Sequence, residues 1–161
     1  GCEPTLGKQH LLSVLKYVMA SKYPLFILET NGMLIGSDKD YAKRLAEFRE
    51  KLYVRVSFKA ATPEGFTQRT GAIGKYYELP FNALQYLLDE GIYARAAAMT
   101  DPTVMSKQER QLLCDKLYSI RPFLAENLEE ERIENYEMTI ARLRAARDIK
   151  FATMLERRLE G

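Results

Sequence analysis

The chain of 161 residues has no tryptophan, one histidine and two cysteines. Cys2 and Cys114 stand far apart in sequence. They make no disulfide framework and point to a reducing, cytoplasmic setting. With one histidine beside them they do not complete a four-ligand zinc site without carboxylate help. No apolar run approaches the ~20 residues that cross a bilayer, and no stretch reads as a signal peptide. An excess of one charge is missing too. The 24 basic and 22 acidic residues leave a net charge of +2, which gives no reason to invoke nucleic acid or an anionic membrane. No internal repeat or low-complexity segment is visible. What remains, 47% hydrophobic and 29% charged residues, is the composition of a folded globular chain. Its length suits one domain or a piece of one.

Periodicity supplies the elements. Leu11, Val14, Leu15 and Val18 recur at helical spacing, and the helix stops near "SKYP" because a residue before proline disfavours the helical region. "LFILETNG" reads as a buried strand closed by an Asn-Gly turn. "SDKDYAKRLAEFREKL" reads as one helix with Tyr41, Leu45, Phe48 and Leu52 on a common face. "YVRVSFKA" is the next strand, rich in β-branched and aromatic residues. "ATPEGFTQRTGAIGKYYELP" is a loop with one helical turn at "PEGF". A helix over "FNALQYLLDEG" stops at Gly91, and "IYARAAAM" is a third strand. "SKQERQLLCDKLYSI" opens with Ser106 and Glu109 at capping-box spacing. "RPFLAEN" holds one more short strand, and the remainder is helical, acidic at its front and basic at its back in the sense the helix dipole favours. Strands separated by helices of this length imply βαβ units and a parallel sheet with helices packed against its faces.

The strands are apolar until their ends and then turn polar: "GCEPT", "ETNG", "SFKAAT", "AMTDP". Sites in parallel α/β folds lie at the C-terminal edge of the sheet, so these ends are expected to converge on one pocket. Ser57 and Lys59 are two apart on a strand and share a face, as does Arg55, a candidate for substrate or cofactor contact. Burying such groups without polar partners is costly, which calls for a ligand or a salt network. Arg95, flanked by alanines, and Asp101, at the end of the third strand, are weaker substrate candidates. His10, Tyr76, Tyr77 and Cys114 read as structural, Cys114 as a buried small hydrophobe.

The same residues carry a resemblance. "GCEPT" before an amphipathic helix resembles the Gly-Gly-Glu-Pro turn of radical S-adenosylmethionine (radical SAM) enzymes. "LETNG" resembles their Asp/Glu-Thr-Asn-Gly strand end. "VSFKAATPEGFTQRTGA" is similar to the strand that carries a ribose-contacting acid and a lysine in activating enzymes of the pyruvate formate-lyase type and in related archaeal and bacterial members. The motifs occur in the family's order. The resemblance covers residues 1–125 and leaves 126–161 as a helical tail.

The resemblance implies an incomplete parallel (β/α) barrel, a partial TIM barrel of which strands three to five and a sixth are present. It implies an iron–sulfur oxidoreductase that reductively cleaves S-adenosylmethionine to a 5′-deoxyadenosyl radical and abstracts hydrogen from a substrate. Glu3, with the backbone of Gly1 and Cys2, would receive the methionyl ammonium of the cofactor. Glu29 would lie near the cofactor, with Thr30 and Asn31 shaping the turn. Ser57 and Lys59 would address the ribose hydroxyls or the carboxylate. Two positions depart from the pattern: Cys2 replaces a glycine, narrowing the approach, and Ser57 replaces an acid.

The CxxxCxxC loop that ligates the family's 4Fe–4S cluster does not occur in this sequence. The resemblance places that loop upstream of residue 1, so the chain as given is expected to bind no cluster and to turn nothing over. An electron donor such as a flavodoxin or ferredoxin is implied for the parent enzyme, and an exposed sheet edge invites a dimer. Two other readings use the same residues: a Schiff-base α/β-barrel lyase with Lys59 as nucleophile, and a non-catalytic α/β module whose polar edge binds a partner protein.

Overall fold

The computed structural model describes residues 3–133, 136–146 and 148–159. Gly1 and Cys2 lie outside the described residues. The chain divides into two compact units, Gly1–Glu131 and Arg132–Gly161.

In the first unit a 3₁₀ turn, Pro4–Gly7, leads into α1 (Lys8–Ala20). The order then runs β1 (Phe26–Thr30), α2 (Met33–Ser37), α3 (Lys39–Ala46), β2 (Leu52–Phe58), α4 (Pro63–Thr70), a 3₁₀ turn over Gly74–Glu78, α5 (Leu79–Asp89) and β3 (Tyr93–Met99). It closes with α6 (Lys107–Ile120), α7 (Pro122–Glu126) and β4 (Glu129–Glu131). The second unit holds α8 (Glu137–Ala145) and α9 (Ile149–Leu159), joined by a small core of Ile140, Ala152 and Leu155.

The described strands form one parallel sheet in the order β1-β2-β3-β4. Each strand pairs with its successor, and right-handed crossovers in an unbroken order put every connecting helix on the same face. Burial bears this out. Leu28, Val54, Val56, Phe58, Ala94, Ala96 and Ala98 join one core with Leu15, Leu45, Leu84, Leu87 and Leu113 from the helices. The alternate positions, among them Glu29, Arg55 and Arg95, face away from that core. The sequence led us to expect helices against the sheet's faces; within the first unit the connecting helices pack on one face, and the other carries a row of charged side chains.

Four further expectations change. The helix expected over 37–52 ends at Ala46, and Leu52, expected on its face, opens β2 instead; a further short helix, α2, precedes it between Gly32 (φ +72°) and Asp38, which caps α3 through Asp40 N–H. Gly36 allows α2 to lie on α5: a Cβ there would stand 1.9 Å from the Leu79 carbonyl oxygen. "PEGFTQRT" is a full helix, started by Thr62 accepting from Gly65 N–H and by Pro63 in the first turn. "RPFLAEN" is helical too, with the fourth strand formed by the three glutamates that follow it. Cys114 is half-buried rather than buried.

Candidate functional site

Glu3 joins the first turn to the tip of β1. It precedes Pro4 in extended conformation, so its side chain folds forward over the 3₁₀ turn. Its Oε1 accepts from Thr5 N–H (3.1 Å), Thr5 Oγ1 (2.6 Å) and Thr30 Oγ1 (2.6 Å). Its Oε2 accepts from Asn31 N–H (2.8 Å). Burial lifts the carboxyl, but the Asn31 N–H and the Thr30 and Thr5 hydroxyls outweigh it and hold the group below its ordinary value of 4.5. Tyr41 supports the turn from beneath, donating to Thr5 C=O at 3.0 Å. Burial and the nearby Glu3 charge push its phenol up to about 12, so it remains a donor.

The corner after β1 is fixed by its own side chains. Buried Thr30 accepts from Gly32 N–H (3.1 Å) while donating to Glu3, and Asn31 Oδ1 accepts from Met33 N–H (2.9 Å). Asn31 stands at the rim of a cavity of about 190 Å³ shared with Ser57, Lys59, Phe66 and Tyr77. That is below the ~300–1,000 Å³ of a pocket enclosing a drug-sized ligand, so the cavity suits one ring or ribose of a larger molecule. Three aromatic rings, those of Phe58, Phe66 and Tyr77, with Met33 and Pro80, make its walls mainly apolar, and Asn31, Ser57 and Lys59 bring polar groups to it from the strand ends.

No family model matches the chain, and no curated protein does.

The open face of the sheet carries charge in register. Glu29, Arg55 and Arg95 form one row across β1, β2 and β3, and Ser57, Ala97 and Glu129 form the next toward the C-terminal edge. Arg55 donates from Nη1 to Glu29 (3.0 Å), from Nε to Glu129 (2.6 Å) and from Nη2 to Glu131 (2.7 Å). It reaches β4 by crossing over Ala97, whose methyl group leaves room. Tyr53 donates to the other Glu129 oxygen (2.9 Å). Burial, then that hydrogen bond, pushes the phenol up to about 12. Burial also lifts the Glu129 carboxyl, but Arg55 and Tyr53 outweigh it and hold it low. Lys59 Nζ stands 3.9 Å from Glu131.

Glu3, Thr30 and Asn31 thus meet at one edge, and Asn31, Ser57 and Lys59 line one cavity there. Gly1 and Cys2, called for the same edge, fall outside the described residues. Glu29 does not line the cavity: its carboxylate, largely exposed, pairs with Arg55 across the open face. Arg55 is held by three carboxylates, which answers the expected need for a salt network. Asp101 is buried and turns inward on its own loop, accepting from Thr103 N–H (2.9 Å) and Oγ1 (2.6 Å). Tyr53, Glu129, Glu131 and Phe66 are constituents the sequence reading missed. The period-2 spacing that pairs Tyr53 with Arg55 was a usable signal. For Glu129 and Glu131 no local signal existed.

Among the described residues no group of three or more His, Cys, Asp or Glu side chains can hold a metal ion. No described helix is long and apolar enough to cross a membrane.

Proposed function

We propose that this chain is the cofactor-holding part of a radical SAM enzyme, with S-adenosylmethionine at the C-terminal edge of the sheet. One observation carries the reading: Glu3, the Thr30–Asn31 corner and the Ser57–Lys59 strand end, far apart in sequence, adjoin at that edge. A parallel sheet with its strands in sequential order and its crossovers on one face is compatible with a section of a (β/α) barrel, where ligands lie at this edge.

S-adenosylmethionine fits the residues present. Glu3 Oε1 is saturated by three donors, but Oε2 accepts one and keeps a lone pair for the methionyl ammonium. Ser57 and Lys59 offer a hydroxyl and an ammonium to ribose oxygens or to the carboxylate. Phe66 and Tyr77 give a ring an apolar wall that excludes water. The 4Fe–4S cluster finds no ligand set among the described residues. When bound in the parent enzyme, the cluster supplies the electron that cleaves S-adenosylmethionine. A flavodoxin or ferredoxin would deliver that electron.

The Schiff-base reading has less support. A nucleophilic lysine needs an apolar or cationic setting that favours its neutral amine, whereas Lys59 is half-exposed and faces Glu131. Titration of the ¹⁵N-labelled chain with S-adenosylmethionine tests the proposal. Saturable shifts are expected at the amides of Asn31, Ser57 and Lys59, and Ser57→Leu, which fills the cavity, abolishes them. Absence of saturable binding, or trapping of a carbonyl compound on Lys59 by borohydride, removes the proposal.

A further inference from the structure

Phe58 is the last residue of β2 and the last in register with β3, opposite Ala98. Lys59 stands one residue beyond, where sheet pairing has ended. Its ammonium is half-exposed, and the acid it faces, Glu131, lies at 3.9 Å, too long for a hydrogen bond. Where that ammonium points is therefore decided by the backbone of residues 59–61. One ion pair holds this backbone. Arg69 on α4 donates from Nη1 to Lys59 C=O (2.9 Å) and from Nε to Val104 C=O (2.9 Å). Its Nη1 and Nη2 also meet the two oxygens of Glu109 on α6, a bidentate pair with both side chains largely buried. Glu109 stands at the capping-box position of α6, three residues after Ser106, yet its carboxylate reaches across the fold and accepts from Ala61 N–H (3.0 Å). The peptide groups on both sides of Ala60 are thus fixed by a single pair. Gly65 makes room for it: a Cβ there would stand 2.7 Å from Glu109 Oε1 and 2.8 Å from Arg69 Nη1. Glycine inside a helix is unfavourable relative to alanine, so α4 gives up helix stability where the pair lies.

We infer that Arg69 and Glu109 are positioning residues that aim Lys59 at the ligand of the edge cavity. A buried ion pair is weak evidence for stability, because desolvating two charges offsets much of their attraction. What this pair supplies is direction. Ala60, between the two clamped peptides, lines the cavity beside Lys59, and so does Phe66, one turn before Arg69 on α4. The pair therefore fixes two walls of the cavity, the end of β2 and α4, relative to each other. Neither charged side chain lines the cavity itself, so both act through Lys59. That the ligand is S-adenosylmethionine rests on the proposed function; the hold on the Lys59 backbone does not.

The test measures S-adenosylmethionine binding to the ¹⁵N-labelled chain in a double-mutant cycle. Arg69→Lys keeps a charge beside Glu109 but not the fork that also holds Lys59 C=O. It is expected to weaken binding at least about tenfold, the share of one hydrogen bond to a charged group. In a Lys59→Met background, which has no ammonium to aim, the same change is expected to cost less than about twofold. Gly65→Ala keeps both charged residues and favours the helix, yet drives a methyl group into Glu109, and the same pair of results is expected. Equal losses with and without the Lys59 ammonium would assign the pair to folding alone and overturn the inference, as would full binding by Arg69→Lys. Backbone ¹⁵N order parameters of the ligand-free chain separate the two claims. Arg69→Lys is expected to lower those of Lys59 and Ala60 from about 0.85 toward about 0.6 and to leave Val54 unchanged. Cofactor binding with unchanged order parameters sinks the clamp alone. Lowered order parameters without saturable binding by the unmutated chain sink the cofactor reading, and the ligand role of the pair with it, while the hold on the backbone stands.

Discussion

Replacing Glu3 by glutamine exchanges one oxygen for an NH₂ group at constant size. Whichever way the amide is turned, it loses. With nitrogen toward Asn31, two donors face each other where Oε2 accepts at 2.8 Å. With nitrogen toward Thr5 and Thr30, Thr5 N–H loses its acceptor and both hydroxyls must rotate to accept. A hydrogen bond to a charged group contributes about 1.5–3 kcal/mol, and the hydroxyls can recover part of the loss. Glu3 is half-exposed, so solvent screening reduces the figure, and about 1–2 kcal/mol is expected for Glu3→Gln. The pH dependence gives the sharper check. The folded-state carboxyl lies below 4.5, so its stabilising contribution is present above that value and disappears as pH falls through the lower folded value. Urea unfolding of both proteins at about pH 7 and about pH 3 should show a gap at the first and a smaller or vanishing gap at the second. A gap of equal size at both pH values, or none at neutral pH, would refute the role given to this carboxylate.

Arg55→Met strands three acids and is expected to cost about 2–3 kcal/mol, less than for a fully buried cluster because Glu29 lies largely in water. Hydrogen exchange at the Thr100 amide, which donates to Glu131 C=O, should accelerate while Val56 stays protected; an unchanged Thr100 amide would contradict the tie between β2 and β4. Gly36→Ala forces α2 off α5, since its Cβ meets the Leu79 carbonyl oxygen at 1.9 Å, and a loss of at least about 2 kcal/mol in urea unfolding is expected. Glu109→Gln weakens the clamp that holds Ala61 N–H (3.0 Å) and Arg69 together, lowering stability by about 2 kcal/mol. Burial lifts the Glu109 carboxyl, but Arg69 and the Ala61 N–H hold it low, so this loss also fades under acid; a pH-independent loss would assign it to packing.

Much of the sheet was legible in the sequence. β1, β2 and β3 announce themselves because their core-facing positions are apolar and their ends are marked by turn residues. The fourth strand was not legible. Three consecutive glutamates score against a strand, and what permits them is Arg55, 76 residues away from Glu131, together with Arg110 against Glu130. The site was half legible for the same reason. Glu3 reads locally as an acid at a helix start, and it is one, but its bonds to Thr30 and Asn31 span 27 and 28 residues. Ser57 and Lys59 could be put on one face by alternation alone. Glu29 could not be moved off the cavity without knowing that Arg55 stands opposite it in register.

The attachment of β4 has a physiological corollary. β1, β2 and β3 are welded by apolar side chains, whereas β4, beyond its backbone ladder to β3, is tied to β2 by Coulomb attraction, which salt dilutes within a Debye length of about 8 Å at physiological strength. One strand thus carries a salt-sensitive tie that the others lack. In brine the molecule should shed its acidic margin first, exposing Arg55 as a second cation beside Arg95.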